Sequence, residues 1–233
     1  MVNSVIRGAL TACLFGVVAC ATDASSTSGA HADVLAQQTA SPSLLPLKEG
    51  NTWTYKVTED GEVGTKVITI GALETVGGSG PSKALKANKS VTEKSGGGKT
   101  ISWQAEVDGR VVRYREQSIK KSGAVSEEVH WAPPNLRIDG TAAHLEPDAT
   151  WTETYEETVI EDGEAVTRKE TDTWTVEGVD VAVTVPAGTF RAYQLKKESA
   201  SGTPKTFWYV AGVGKVKETG GQTEELASYE LAP

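Results

Sequence analysis

Gly96-Gly97-Gly98-Lys99-Thr100 is the segment that comes nearest to a phosphate-gripping loop. That chemistry needs a glycine where Glu93 stands and a helix after the Lys-Thr pair, whose backbone N–H groups would face the phosphates. A strand-like run, Ile101-Ser102-Trp103, follows instead, so the glycines read as a hairpin tip. His130 and His144, near Asp139, Glu146 and Asp148, have the side chains that hold zinc, but nothing in their spacing requires a metal. Carboxylates crowd the stretch Glu153, Glu156, Glu157, Glu161, Asp162, Glu164, Glu170 and Asp172. Paired carboxylates can serve glycoside hydrolysis or calcium binding. Mixed with threonine and lysine, they are also the ordinary outer face of a sheet, where like charges blunt edge pairing. Ser118-Ile119-Lys120-Lys121 supplies Ser-x-x-Lys without its companion motifs, and there is no Gly-x-Ser-x-Gly elbow. Gly212-Val213-Gly214 lacks the third glycine and the βαβ setting of a dinucleotide fingerprint. The chain is therefore expected not to be an enzyme, with no catalytic residue, no metal and no cofactor.

The thiol of Cys20 is different. It ends the apolar run Ala9 to Ala19, which follows a short N-terminus carrying Arg7. That run is about half the ~20 residues of a membrane-spanning helix and has the length of a signal-peptide core. Val17-Val18-Ala19-Cys20 resembles the lipobox of bacterial lipoproteins. The resemblance implies that Cys20 is diacylated, that the chain is cut before it, and that the new amine is acylated or left free. Fatty chains contribute ~0.8 kcal/mol per buried CH₂, so two or three of them hold a soluble domain at a membrane. Ala19-Cys20-Ala21 also fits the Ala-x-Ala rule of ordinary signal peptidase, which would release the protein. A third reading, an uncleaved anchor, conflicts with the short apolar run. Ala21, where an aspartate would signal retention at the inner membrane, points by resemblance to the outer membrane of a two-membrane cell. The expected address is the bacterial cell envelope, outside the cytoplasm.

Removing residues 1–19 leaves 214 of 233 and one cysteine, Cys20, because Cys13 departs. A fold without disulfides must rest on burial and hydrogen bonding. The net charge of −8, one unit more negative without Arg7, argues against nucleic acid as a partner and against docking on anionic headgroups. The membrane, through the lipid anchor, is the expected partner, with a protein or an apolar ligand as a further candidate. Residues 20–43, rich in Ala, Ser, Thr and Gln, read as a lipidated N-terminus and disordered tether with a reach of ~25 Å.

Folded sequence starts near Leu44, and from there the pattern is that of strands. Thr, Val, Ile, Tyr and Trp alternate with polar residues at period two. Asp-Gly pairs, strong hairpin signals, fall between such runs at 60–61, 108–109 and 162–163, and a fourth, Asp139-Gly140, lies in the irregular stretch that follows residue 131. Separate strands are expected at 165–177 and 179–185, and one ends near residue 131. Ala132 to Asp148, with Pro133-Pro134, reads as an irregular loop. Leu45…Trp53-Thr54-Tyr55 returns as Leu145…Trp151-Thr152-Glu153-Thr154-Tyr155, and Lys99-Thr100-Ile101-Ser102-Trp103 as Lys205-Thr206-Phe207-Trp208. Two related β-repeats, 44–144 (with the connecting loop) and 145–233, follow from these ordered matches.

Val185-Pro186-Ala187-Gly188-Thr189-Phe190 and Trp208-Tyr209-Val210-Ala211-Gly212-Val213-Gly214-Lys215-Val216-Lys217 resemble segments of a broad set of bacterial exported β-proteins. Some exported proteins with similar motifs are related to carriers that bind lipid in a curved antiparallel sheet. The expected fold is all-β: antiparallel sheet, with two meander repeats forming a sandwich or incomplete barrel. The expected function is a membrane-anchored, non-catalytic binding or structural module. One alternative is a carrier of a lipid or other apolar ligand in a β-lined cavity; a more remote one is a hydrolase using surface carboxylates. Trp53, Trp103, Trp151 and Trp208, at repeat-equivalent positions, are the candidate cavity residues, although aromatic rings serve equally well as core.

Overall fold

The computed structural model describes residues 42–233; Cys20, the signal peptide and nearly all of the tether lie outside the described residues. Twelve antiparallel strands form one closed barrel. They are β1 (Thr52–Glu59), β2 (Glu62–Thr75), β3 (Lys86–Lys94), β4 (Lys99–Val107), β5 (Arg110–Ile119) and β6 (Val125–Asp139), then β7 (Thr150–Glu161), β8 (Glu164–Val185), β9 (Gly188–Ser199), β10 (Lys205–Val210), β11 (Gly214–Thr219) and β12 (Thr223–Glu230). Each strand pairs with its sequence neighbours, and β1 pairs with β12. The all-β antiparallel reading holds, and the two outer edges meet instead of stopping at a sandwich or an open barrel. Closure leaves no unpaired backbone edge, which disposes of the aggregation hazard of a long sheet. The matched sequence segments fall on strands six apart: Trp53 on β1 and Trp151 on β7, Trp103 on β4 and Trp208 on β10.

The Asp-Gly pairs at 60–61, 108–109 and 162–163 are hairpin turns; the fourth pair, Asp139-Gly140, ends β6. Both residues have positive φ at Asp60-Gly61 (49° and 84°), Asp108-Gly109 (51° and 76°) and Asp162-Gly163 (49° and 85°). This geometry gives the turn the twist that the flanking strands require. Two segments differ from the sequence expectation. Strand β6 runs on through Pro133-Pro134, because residues 131–134 lack partners on β5 where that pairing slips between Arg113 and Arg115. A missing N–H is harmless at such a bulge. Residues 165–177 and 179–185 belong to one strand of 22 residues, β8, whose pairing to β9 slips around Gly178 and then resumes. The far end of that hairpin folds back against β12: Ala187 N–H donates to the Leu226 carbonyl (2.9 Å), and Phe190 lies 6.4 Å from Tyr229.

One end of the barrel is covered. The segment before β1 places Leu44 among Val111, Leu136, Ile138 and Trp174. Its position is held by Gly212 N–H donating to the Ser43 carbonyl (2.9 Å) and by Asn51 Nδ2 donating to the Pro46 carbonyl (3.0 Å). A 3₁₀ turn, Ala142–His144, sits beside it, with the His144 ring stacked at 4.1 Å on Trp151.

Candidate functional site

An eight-stranded barrel is about wide enough for its own side chains to fill; twelve strands enclose more space. The inward residues leave a cavity of about 410 Å³. Leu45, Leu47, Trp53, Ile68, Ile70 and Leu136 make part of its wall apolar. The rest is charged. Lys66, Arg113, Arg137, Lys197, Lys205 and Lys215 line it, against the carboxylates of Glu116, Glu218 and Glu224. The lining reaches Gly202 and Thr203 in the β9–β10 turn and Gln222 in the β11–β12 turn, the end of the barrel opposite Leu45 and Leu47.

Two ion clusters organise the charges. In the first, Lys215 Nζ donates to Glu224 Oε2 (2.7 Å) and to Glu218, while Lys66 pairs with Glu224 and Lys205 with Glu218 (3.0 Å). A bulge between β10 and β11 puts Lys215 and Glu218, three apart, on the same side. Glu224 is 1 % exposed. Both carboxyls are held below the usual range: burial is the largest single effect and opposes ionisation, but Lys215 together with Lys205 at Glu218, and with Lys66 at Glu224, outweighs it. Lys66 falls from 10.5 to about 8, because burial and the adjacent Lys215 outweigh the attraction of Glu224. Tyr55, whose hydroxyl donates to the Lys215 carbonyl (2.8 Å), is pushed upward by burial.

In the second cluster, Arg113 pairs with Glu116 and lies 4.1 Å over the Trp131 ring. Lys197 Nζ is 2.7 Å from Asp172 and 5.6 Å over the Trp174 ring. Asp172, fully buried, also accepts from Tyr155 Oη (3.0 Å) and Ser199 Oγ (2.5 Å). Arg137 joins this group, and its charge depresses the pKa of both Arg113 and Lys197, after the larger effect of burial on each.

The four tryptophans are placed differently. Trp53 lines the cavity; its Nε1 donates to the Val213 carbonyl (2.6 Å). Gly214, at φ 113°, leaves it room, since a Cβ there would stand 3.1 Å from Trp53 Nε1. Trp151 is cross-strand partner to Trp174, stacked at 6.1 Å, and is covered by His144 instead of lining the cavity. Trp103 lies between the inward Ser102 and Gln104, and Trp208 between Phe207 and Tyr209, so strand alternation turns both outward. Arg115 covers the Trp103 ring at 4.3 Å, and Lys217 lies over Trp208 at 5.7 Å. Trp174, absent from the sequence-derived set, lines the cavity.

The histidines are not neighbours in one site. His144 Nδ1 is 2.7 Å from Asp139, which Arg110 also approaches at 3.1 Å, whereas His130 pairs across strands with Arg115. Among the described residues, no three His, Cys, Asp or Glu side chains are grouped to hold a metal ion. The carboxylate-rich stretch is divided: Glu156, Glu161, Asp162 and Glu164 are exposed, Glu153 binds Arg110 (2.5 Å), Glu157 accepts from Trp131 Nε1 (2.9 Å), and Asp172 is in the interior.

No family model and no curated protein matches the sequence. Among solved structures, the chain is similar to a protein of Bacteroides fragilis provisionally described as exported, with a YmcC-like fold. Identity is 12 %, the TM-score is 0.51, and 82 % of this chain and 100 % of that one are covered. A provisionally described lipoprotein of Parabacteroides distasonis aligns at 13 % identity with a TM-score of 0.37, over 82 % and 99 % of the two chains. The first likeness is one of fold.

Proposed function

We propose that this chain is a lipid-anchored extracytoplasmic binding module, without catalysis, that takes a small amphipathic ligand into its barrel. The observation that carries this reading is the cavity of about 410 Å³, within the range of small-molecule sites, with an apolar wall at Leu45, Leu47, Ile68 and Ile70 and a charged one beyond it. A wholly apolar lipid, the sequence-level alternative, suits the first wall and would desolvate the second. The exposed Thr154, Glu156, Thr167, Lys169 and Thr171 give the outside of β7 and β8 a polar face, unlike the apolar band of a barrel set in lipid. The domain thus reads as a water-soluble body, and attachment is assigned to the acylated Cys20. The similarity to a protein described as exported agrees with that address.

The test is a titration with an amphiphilic fluorophore, dansyl-undecanoic acid, read by energy transfer from the interior tryptophans. Saturable one-to-one binding is expected, together with its loss in Ser102→Phe, which fills the cavity from a buried position at a packing cost of about 1–3 kcal/mol. Circular dichroism establishes that the variant folds. Binding that survives in a folded Ser102→Phe, or no binding to the wild type, overturns the reading.

A further inference from the structure

Arg137 stands apart from the other interior cations. Among the described residues, each of the other cavity-lining cations has a carboxylate within 4.0 Å: Lys66 has Glu224, Arg113 has Glu116, Lys197 has Asp172, and Lys205 and Lys215 have Glu218. Arg137 has none, although its side chain lines the cavity. Its Nε is buried and has no hydrogen-bond partner. Two further buried donors on the lining are also without partners, Arg113 Nε and Trp174 Nε1. Lys197 Nζ, over the Trp174 ring, links the indole to this group. The nearby acids are engaged elsewhere: Glu116 by Arg113, Asp172 by Lys197, Tyr155 and Ser199, and Glu157 by Trp131.

Arg137 is half-buried, and a buried donor left without a partner, such as its Nε, costs about 1–3 kcal/mol. Three such donors belong to residues that line one cavity, and together they offer unfilled hydrogen-bonding capacity to a ligand's acceptors. Arginine's planar fork suits the oxygens of a carboxylate, sulfate or phosphate. Tyr209, whose hydroxyl donates to the Arg137 carbonyl (3.3 Å), fixes the strand at this point. The apolar wall at Leu136 and Trp174 adjoins these donors, so a chain or ring attached to the anion has a place to lie.

We propose that Arg137, with Arg113, Lys197 and the indole N–H of Trp174, forms an anion site inside the barrel that holds the carboxylate, sulfate or phosphate group of an amphipathic ligand. The proposal rests on the interior being a ligand chamber, and names the chemical class that it takes.

Isothermal titration with octyl phosphate, 1-octanol and inorganic phosphate, on the wild type and Arg137→Gln, tests it. Octyl phosphate should bind the wild type saturably and at least tenfold more weakly in Arg137→Gln, with Arg137→Lys between them. Octanol should not distinguish the proteins. Because Arg137 has no side-chain partner to lose, the urea midpoint of ligand-free Arg137→Gln should equal or exceed that of the wild type. Inorganic phosphate binding as tightly as octyl phosphate, with the same dependence on Arg137, would support the site and make its ligand a free anion. Equal binding of octyl phosphate and octanol by both proteins would overturn the anion site while leaving the chamber. Absence of binding by every probe would overturn both.

Discussion

Replacing Glu224 by Gln removes one charge from the first ion cluster at nearly constant shape. Among the described residues Glu224 is the sole carboxylate partner of Lys66, and one of two for Lys215. Lys66 already titrates near 8 instead of 10.5, a shift equivalent to about 3 kcal/mol against the folded state at pH 7. Without Glu224 it falls further and sheds its proton on folding. The ceiling for that is the cost of deprotonating an ordinary lysine at pH 7, about 5 kcal/mol. Lys66 thus adds at most about 1.4 kcal/mol, and the half-stripped Lys215 brings the expected loss to about 3 kcal/mol, at the low end of the range for a broken buried pair.

The variant also carries a pH signature. Its folded state holds Lys66 neutral while the unfolded chain holds it charged, so the unfolded state binds more protons and stability rises with pH. The wild type begins the same rise only above about 8. Urea unfolding followed by tryptophan fluorescence should therefore show the gap narrowing by about 1 kcal/mol between pH 7 and 8. Glu225→Gln, on a partly exposed pair with Lys56 and Lys217, should change stability by less than about 0.5 kcal/mol. A loss below about 1 kcal/mol in Glu224→Gln, flat from pH 7 to 9, would mean that the cluster is solvated and the reasoning fails.

Asp172→Asn should cost about 3–5 kcal/mol in the same assay, because Lys197 would lose its charge partner in a buried setting; Ser199→Ala, which removes one hydrogen bond to Asp172, should cost about 1 kcal/mol. Acid should weaken the domain: Glu218 and Glu224 are depressed below the ordinary 4.5, so their contribution is complete above that pH and is lost as pH falls below it, which a series of urea midpoints from pH 6 to 3 would reveal. Leu226→Ala, at a fully buried position, should cost about 2–5 kcal/mol in urea unfolding. Cys20→Ser should move the protein from the membrane to the soluble fraction of the producing cell, since a serine accepts no thioether-linked lipid; unchanged firm fractionation with membranes would refute the anchor.

Local signals carried much of the fold. The Asp-Gly turns and the alternation of Trp53, Tyr55 and Val57 placed hairpins where the chain has them, because both depend on residues adjacent in sequence. Closure depends on β1 meeting β12, with Trp53 opposite Tyr229, and no local pattern encodes a contact so distant. The interior charges were missed for a related reason. Lys66 stands in phase with Ile68 and Ile70, and Glu224 with Leu226, so a charge in step with an apolar face was there to be read. Lys215 and Glu218 gave no such signal: the bulge near Val216 changes the phase between them, and the strand reads as a solvent-facing Lys-x-Lys. For the tryptophans, repeat equivalence matched strand positions without indicating which face the cavity uses, and the outward Trp103 and Trp208 followed from that.

The most direct measurement is native mass spectrometry of the full-length protein extracted from its producing cells in mild detergent. A folded chain carrying a non-covalent small-molecule adduct, retained by the wild type and absent from Ser102→Phe, is the predicted result. A wild-type spectrum without adduct under conditions that keep the barrel folded, unchanged when amphiphilic anions are added, would contradict the claim that the barrel interior is a binding chamber.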